Sequence, residues 1–154
     1  MTDHTTADTG MSNAPLVVHG QYIKDLSFEA PHVPGIFQEL HASPTVSIHV
    51  DVDNHELETN MFEVTLSFHI KSVLEDKVAF IIELIYATIV SLNVPREHVQ
   101  PLVMIEVPRL LFPFARSIVA DVSRDSGFPP LVMAPIDFVS RYRQQLEERQ
   151  HVAA

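Results

Sequence analysis

The chain has no cysteine, which removes disulfides, thiol catalysis and thiolate metal sites together. Basic residues are scarce: ten Lys and Arg face twenty Asp and Glu, a formal charge of -10. Nonspecific attraction to phosphate backbones or anionic lipid is therefore disfavoured, no nucleic acid is expected to bind, and a basic protein partner suits the charge better. No apolar run is long enough to cross a bilayer as a helix. The longest, VAFIIELIYATIVSL from Val78 to Leu92, is interrupted by Glu83 and falls short of the roughly 20 residues needed. MTDHTTADTGMSNAPL at the N-terminus has no cationic segment followed by an apolar one, so it reads as neither a secretory signal nor a transit peptide. A soluble, cytoplasmic chain without direct membrane insertion is expected. The glycine-rich phosphate loop, the dinucleotide fingerprint and the serine nucleophile elbow are missing as well.

The residue types that could carry other chemistry do not converge. Nine histidines invite a metal site, but no pair stands at the i, i+4 helical spacing of a zinc site and no cysteine can complete one. DVDNHELE, residues 51–58, begins like a calcium loop, yet it lacks the glycine at position 6 and has Phe62 where position 12 requires a carboxylate. It reads as a polar turn. Glu75/Asp76 and Glu147/Glu148 sit in a turn and a charged tail, where nothing would desolvate them for acid-base work. No catalytic residue, no metal and no cofactor is expected, and the chain does not read as an enzyme.

What is present is a folded apolar domain, 46% hydrophobic and 19% charged over 154 residues, enough to bury about two thirds of its unfolded surface. A polar tail is expected over residues 1–14, one domain over 15–150 and a short tail over 151–154. In YIKDLSFE the period of two puts Tyr22, Lys24, Leu26 and Phe28 on one face, with Leu26 and Phe28 marking the buried side, and Ile23, Asp25, Ser27 and Glu29 on the other. Prolines 31 and 34 end that strand, and VPGIFQEL is a short helical turn or an ordered loop. TVSIHVDVD aligns Val46, Ile48, Val50 and Val52, with His49 on the polar parity; NHELETN supplies turn residues. MFEVTLSFHIKSV aligns Phe62, Val64, Leu66, Phe68 and Ile70, with His69 on its polar parity, and LEDK makes a tight connection into a strand apolar on both parities. The result is an α+β chain: a four-stranded antiparallel meander or Greek key followed by helices.

After Asn93 the pattern is helical. Val107-Pro108 should kink or break the chain, and Pro113 should fall in or just after the first turn of a new helix, where its missing donor costs little. Leu111, Phe114, Ala115, Ile118 and Val122 form an apolar stripe. Gly127 stops the helix, GFPPLVMAP connects, and Asp137 or Ala134-Pro135 opens a last helix carrying Phe138, Tyr142 and Leu146. One sheet and a few helices leave many apolar faces, to be covered by subunits or by ligands.

YIKDLSFEAP (22–31), VAFIIEL (78–84), LLFPFAR (110–116), VSRDSGFPPL (122–131) and APIDF (134–138) together closely resemble the SecB family of bacterial protein-export chaperones, in order from Tyr22 to about Leu146. The resemblance implies a homotetramer, a dimer of dimers with helices sandwiched between the two dimers. It implies an ATP-independent chaperone that holds unfolded precursor proteins in a translocation-competent state and delivers them to the SecA motor. Residue by residue, the SecA-contact motif matches Asp25, Glu29, Ile81 and Glu83. The substrate-contact positions match Val46, Ile48 and Val50, with aromatic and apolar residues near the connector, Phe37, Phe128, Leu131 and Phe138. The chain departs from the family at its end, stopping with HVAA where family tails are often longer and acidic. The alternatives are a SecB-like chaperone of a toxin-antitoxin system or, in another class, an apolar-ligand-binding or enzyme domain.

Overall fold

Residues 14–152 are described by a computed structural model; the expected tails lie outside it over 1–13 and 153–154, while His151 and Val152 still belong to the last helix. The sheet forms where side chains alternate. β3 (Met61–Leu74) buries Phe62, Val64, Leu66, Phe68, Ile70 and Leu74, and β4 (Lys77–Leu92) buries Ile82, Leu84, Val90 and Leu92 beside them. β1 (Leu16–Glu29) and β2 (Thr45–Glu58) are the edges of an antiparallel sheet in the order β1-β4-β3-β2. Of the two topologies expected, this is the Greek key: β2, β3 and β4 are joined by hairpins and β1 lies beside β4. Glu75 and Asp76 turn the β3–β4 hairpin, with Glu75 at φ 56°.

Two readings of the strands are corrected. NHELETN is not a turn, because β2 continues to Glu58 with Asn54 opposite Val64 and Glu56 opposite Phe62. The reversal waits for Thr59 and Asn60, and Asn60 supplies the positive φ (62°) that a tight hairpin needs. In β1 the alternation slips at Lys24, an extra residue between Ile23, opposite Tyr86, and Asp25, opposite Ile85. Tyr22 and Lys24 therefore do not share the side of Leu26 and Phe28, and Ile23 parts from Asp25, Ser27 and Glu29. Leu26 faces the helix side as expected but remains 39% exposed, because the helices cover the centre of the sheet rather than its β1 edge.

The helices run over β3 and β4. No break occurs at Val107-Pro108: α1 (Arg96–Pro101), a π-helical segment (Leu102–Glu106) and α2 (Val107–Asp125) follow one another without a gap, and Val107 is α-helical at φ -65°, ψ -47°. The irregularity falls one turn earlier, where the wider π turn gives Pro108's ring room beside the preceding carbonyls. Pro113 consequently lies inside α2. Its position is exposed, on the solvent side of the helix, where a missing intrahelical bond costs least. The buried stripe of α2 is Val107, Pro108, Leu111, Phe112, Ala115, Val119 and Ser123; Phe114 is rotated off it and is 52% exposed.

α2 ends as its sequence requires. Gly127, at φ +92°, donates its N–H to Arg124 O at 3.0 Å, and Phe128 donates to Ser123 O at 3.1 Å, the paired bonds of a Schellman cap. The connector then reaches α3 (Phe138–Val152). Asp137 opens that helix by accepting the Ser140 N–H at 3.1 Å and the Ser140 hydroxyl at 2.8 Å. These bonds from Ser140, the backbone one foremost, hold its carboxyl below the usual carboxylate range. α3 shields the free edge of β2, where Arg141 donates to the Val50 carbonyl.

Candidate functional site: an acidic sheet face and an apolar helix side

Cross-strand register decides which side chains share the sheet face away from the helices. Asp25 stands opposite Ile85, Ser27 opposite Glu83 and Glu29 opposite Ile81 on the β1–β4 ladder. The same rows continue across β3 and β2 as Ser67 and Asp51, His69 and His49, and Lys71 and Ser47. All four residues expected to contact SecA, Asp25, Glu29, Ile81 and Glu83, thus fall in adjacent rows of one face. The three carboxylates are exposed and Ile81 is half-buried among them. Glu83 pairs with His69 at 3.1 Å, and His49 with Asp51 at 3.2 Å; these groups and Asp25 line an open depression of about 190 Å³. Two rows further on, opposite Ile89, Glu63 accepts from Lys24 at 2.7 Å and from the Tyr22 hydroxyl. Those bonds, Lys24's first, lower the Glu63 pKa, while burial and then Glu63 itself push the Tyr22 hydroxyl up to about 12.

The helix side gathers aromatic rings at the start of the connector. Phe128 packs against Phe80, Phe37 and Phe28 with centroids 5.1, 5.2 and 6.3 Å apart, and Phe28 stacks on Phe80 at 5.6 Å. Phe37 comes this close because Gly127 has no side chain: a Cβ there would stand 2.9 Å from the tip of the Phe37 ring. Of the residues expected to meet a client, Phe37 and Ile48 are exposed, and Val46 and Leu131 are half-buried. Val50, Phe128 and Phe138 are core, each with at most 5% of its surface accessible, and Phe138 lies edge-on to Phe112 at 6.3 Å. Sequence parity could not separate these sets, because all point to the helix side and only cover distinguishes them. Val132, 72% exposed beside Leu131, is not among the expected residues, because the connector has no period to read.

A second apolar surface lies at the β1 edge. Val18, Ile23 and Leu26 face the helix side uncovered, and on α2 Phe114 and Leu110, one helical turn before it, are exposed as well. The Phe114 ring stacks at 6.4 Å on Tyr86, the cross-strand partner of Ile23. Among the described residues no group of three His, Asp or Glu is placed to hold a metal, and no helix is long and apolar enough to cross a membrane.

Comparison with known proteins places this geometry. The family model "Preprotein translocase subunit SecB" matches residues 10–149. The chain belongs to the SecB family. The protein-export protein SecB of Rhodospirillum rubrum is 50% identical over 149 residues, covering 97% of this chain and 93% of that one. The SecB of Paramagnetospirillum magneticum is 49% identical over 146 residues, covering 94% of each. Among solved structures, the SecB-like chaperone of Mycobacterium tuberculosis, in complex with a ChAD peptide from the HigA1 antitoxin, superposes with a TM-score of 0.66 over 79% of this chain and 91% of that one. At 13% identity that likeness speaks for the fold alone. This SecB-family chain is accordingly a chaperone of protein export, as its relatives at about half identity are named.

Proposed function

We propose that the chain works without ATP, as a homotetrameric holdase: it binds unfolded precursor proteins through apolar surface on the helix side and passes them to SecA through the acidic face of the sheet. The observation that carries the reading is the division of the molecule into two unlike faces. Exposed Phe37, Ile48 and Val132 stand on the side of the helices and connector, and exposed Asp25, Glu29 and Glu83 are gathered on the opposite face of the sheet. Weak contacts of an extended chain with apolar surface, repeated over several subunits, add up by avidity without sequence specificity. Binding the unfolded state draws the client away from folding and aggregation by mass action. Release then falls to a competing partner, and an open acidic surface steers a basic one.

The β1-edge surface fits the assembly. Val18, Ile23, Leu26, Leu110 and Phe114 make an apolar patch beside an unpaired strand edge, the kind of surface soluble chains rarely leave bare. A dimer of dimers would cover it and bring several apolar helix sides into one particle.

Light scattering of a denatured protein, diluted with and without this chain in the absence of nucleotide, tests the holding activity. Suppressed scattering at stoichiometric tetramer is expected; undiminished aggregation would end the chaperone reading. Asp25→Ala and Glu83→Ala should each weaken SecA association while leaving that suppression intact. Unchanged affinity in both would move the partner contact elsewhere.

A further inference from the structure

We propose that Tyr22, Lys24 and Glu63 form a positioning device for the acidic face: they hold the bulge at Lys24, and the bulge turns Asp25 and Glu29 to the side of Glu83. The proposal rests on the reading of that face as the SecA contact, and it assigns a role to residues outside the expected motif.

The register requires some such device. Tyr22 lies opposite Ala87 on the open face and Ile23 opposite Tyr86 on the helix side. With regular alternation Lys24 would return to the open face, and Asp25 and Glu29 would point towards the helices, with Leu26 and Phe28 in water. The ladder instead steps from Ile23–Tyr86 directly to Asp25–Ile85, so Lys24 has no partner on β4. One extra residue reverses the phase of everything after it. Bulges of this kind re-aim side chains at functional edges.

An unpaired residue on an edge strand needs something to fix it. Lys24 Nζ donates to Glu63 Oε1 at 2.7 Å, and the Tyr22 hydroxyl donates to the other carboxylate oxygen, so the residue before the bulged segment and the bulged residue itself are tied to one group. Glu63 belongs to β3, beyond the intervening β4. The reach crosses β4 diagonally, past the small Ala87, which is opposite Tyr22 and fully buried, to Glu63 opposite Ile89. The Glu63 side chain retains only 18% of its accessibility, so partial shelter and two charge-assisted bonds favour one arrangement.

The chain has no tryptophan and three tyrosines, so tyrosinate absorbance reports the cluster directly. Glu63→Gln should bring the raised titration of Tyr22 back towards its ordinary value while client holding stays at the wild-type level. It should weaken SecA association about tenfold, a coupling normal for neighbours in one network. Because Glu63 would act through the re-aimed carboxylates, the same substitution in a chain already carrying Asp25→Ala and Glu29→Ala should change association less than about twofold. Tyr22→Phe, which removes one hydroxyl, should follow the same pattern with a smaller loss and guards against misfolding of the first variant. Equal loss in both backgrounds would mean direct contact and overturn the positioning role, as would wild-type affinity in Glu63→Gln once the Tyr22 titration has moved. If the wild-type chain itself does not associate with SecA, the reading of the face falls first and the positioning role with it.

Discussion

Gly127→Ala tests how the end of α2, the aromatic cluster and the exposed Phe37 depend on one another. Gly127 sits at φ +92°, and placing an L side chain in left-handed backbone costs about 1–2 kcal/mol. The new methyl would also stand 2.9 Å from Phe37 Cζ. That atom is the far end of a side chain 37% exposed, so the ring can swing away, at the cost of its packing on Phe128, now at 5.2 Å between centroids. An aromatic pair of that kind contributes about 0.5–1.5 kcal/mol. The two costs together predict a loss of about 1.5–3.5 kcal/mol. Urea unfolding at fixed protein concentration measures it, as a lowered midpoint with an unchanged slope. Repeating the substitution in a Phe37→Ala chain separates the parts: only the backbone cost, about 1–2 kcal/mol, should remain. A loss below about 0.5 kcal/mol, or the same loss in both backgrounds, would refute the account of why glycine stands there.

Ser123 ties the connector to α2, its buried hydroxyl donating to Val119 O at 2.9 Å and accepting the Leu131 N–H at 2.9 Å. Ser123→Ala leaves that amide without its acceptor and should cost about 1–3 kcal/mol, with faster hydrogen exchange at Leu131 while the β3 amides keep their protection. The Tyr22–Glu63 contact fixes a pH window. Glu63 titrates below its ordinary 4.5 in the folded chain, so its stabilisation is present above that value and is lost as pH falls through the depressed one. Tyr22 titrates at about 12 rather than 10.0, so its contribution is complete below 10.0 and is lost as pH rises through about 12. The stability difference between wild type and a Tyr22→Phe, Glu63→Gln chain should be level between about pH 5 and 10 and shrink on either side. Urea midpoints across pH measure it, and a difference that widens in acid would contradict the arrangement.

Where one interaction dominates, the sequence was legible. From Phe62 to Ile70 β3 alternates regularly because its apolar side meets α2 and the π segment there, so those residues could be read from parity alone. Gly127 and Asp137 were readable as helix punctuation because a cap depends on one local geometry. Proline was harder. Pro108 has the same local preference in any chain, but burial of Val107, Leu111 and Ala115 outweighs it, and the helix yields by widening a turn instead of breaking. The stripe on α2 was misplaced for a related reason: in its first half apolar residues extend beyond one face, to Leu110 and Phe114, and only the position of the sheet decides that Phe112 is core and Phe114 is not.

The candidate site was legible by residue identity more than by orientation. Asp25, Glu29, Ile81 and Glu83 could be named from the motif, yet simple alternation from Leu16 onward cannot put both Tyr22 and Asp25 on the open face. A bulge has no marker in composition; it is set by a carboxylate on β3, 39 residues beyond Lys24. The client side shows the converse. Its residues are ordinary core formers, and what leaves Ile48 and Phe37 exposed is that α2 covers the centre of the sheet, while Ile48 lies on the edge strand β2 and Phe37 in the short helical turn Gly35–Glu39 beside the connector. Closing the sheet margins within one chain would take another helix. In the proposed assembly, leaving them open would let one apolar layer serve both copies of the chain and unfolded clients, the partition between the two being set by which margin each reaches.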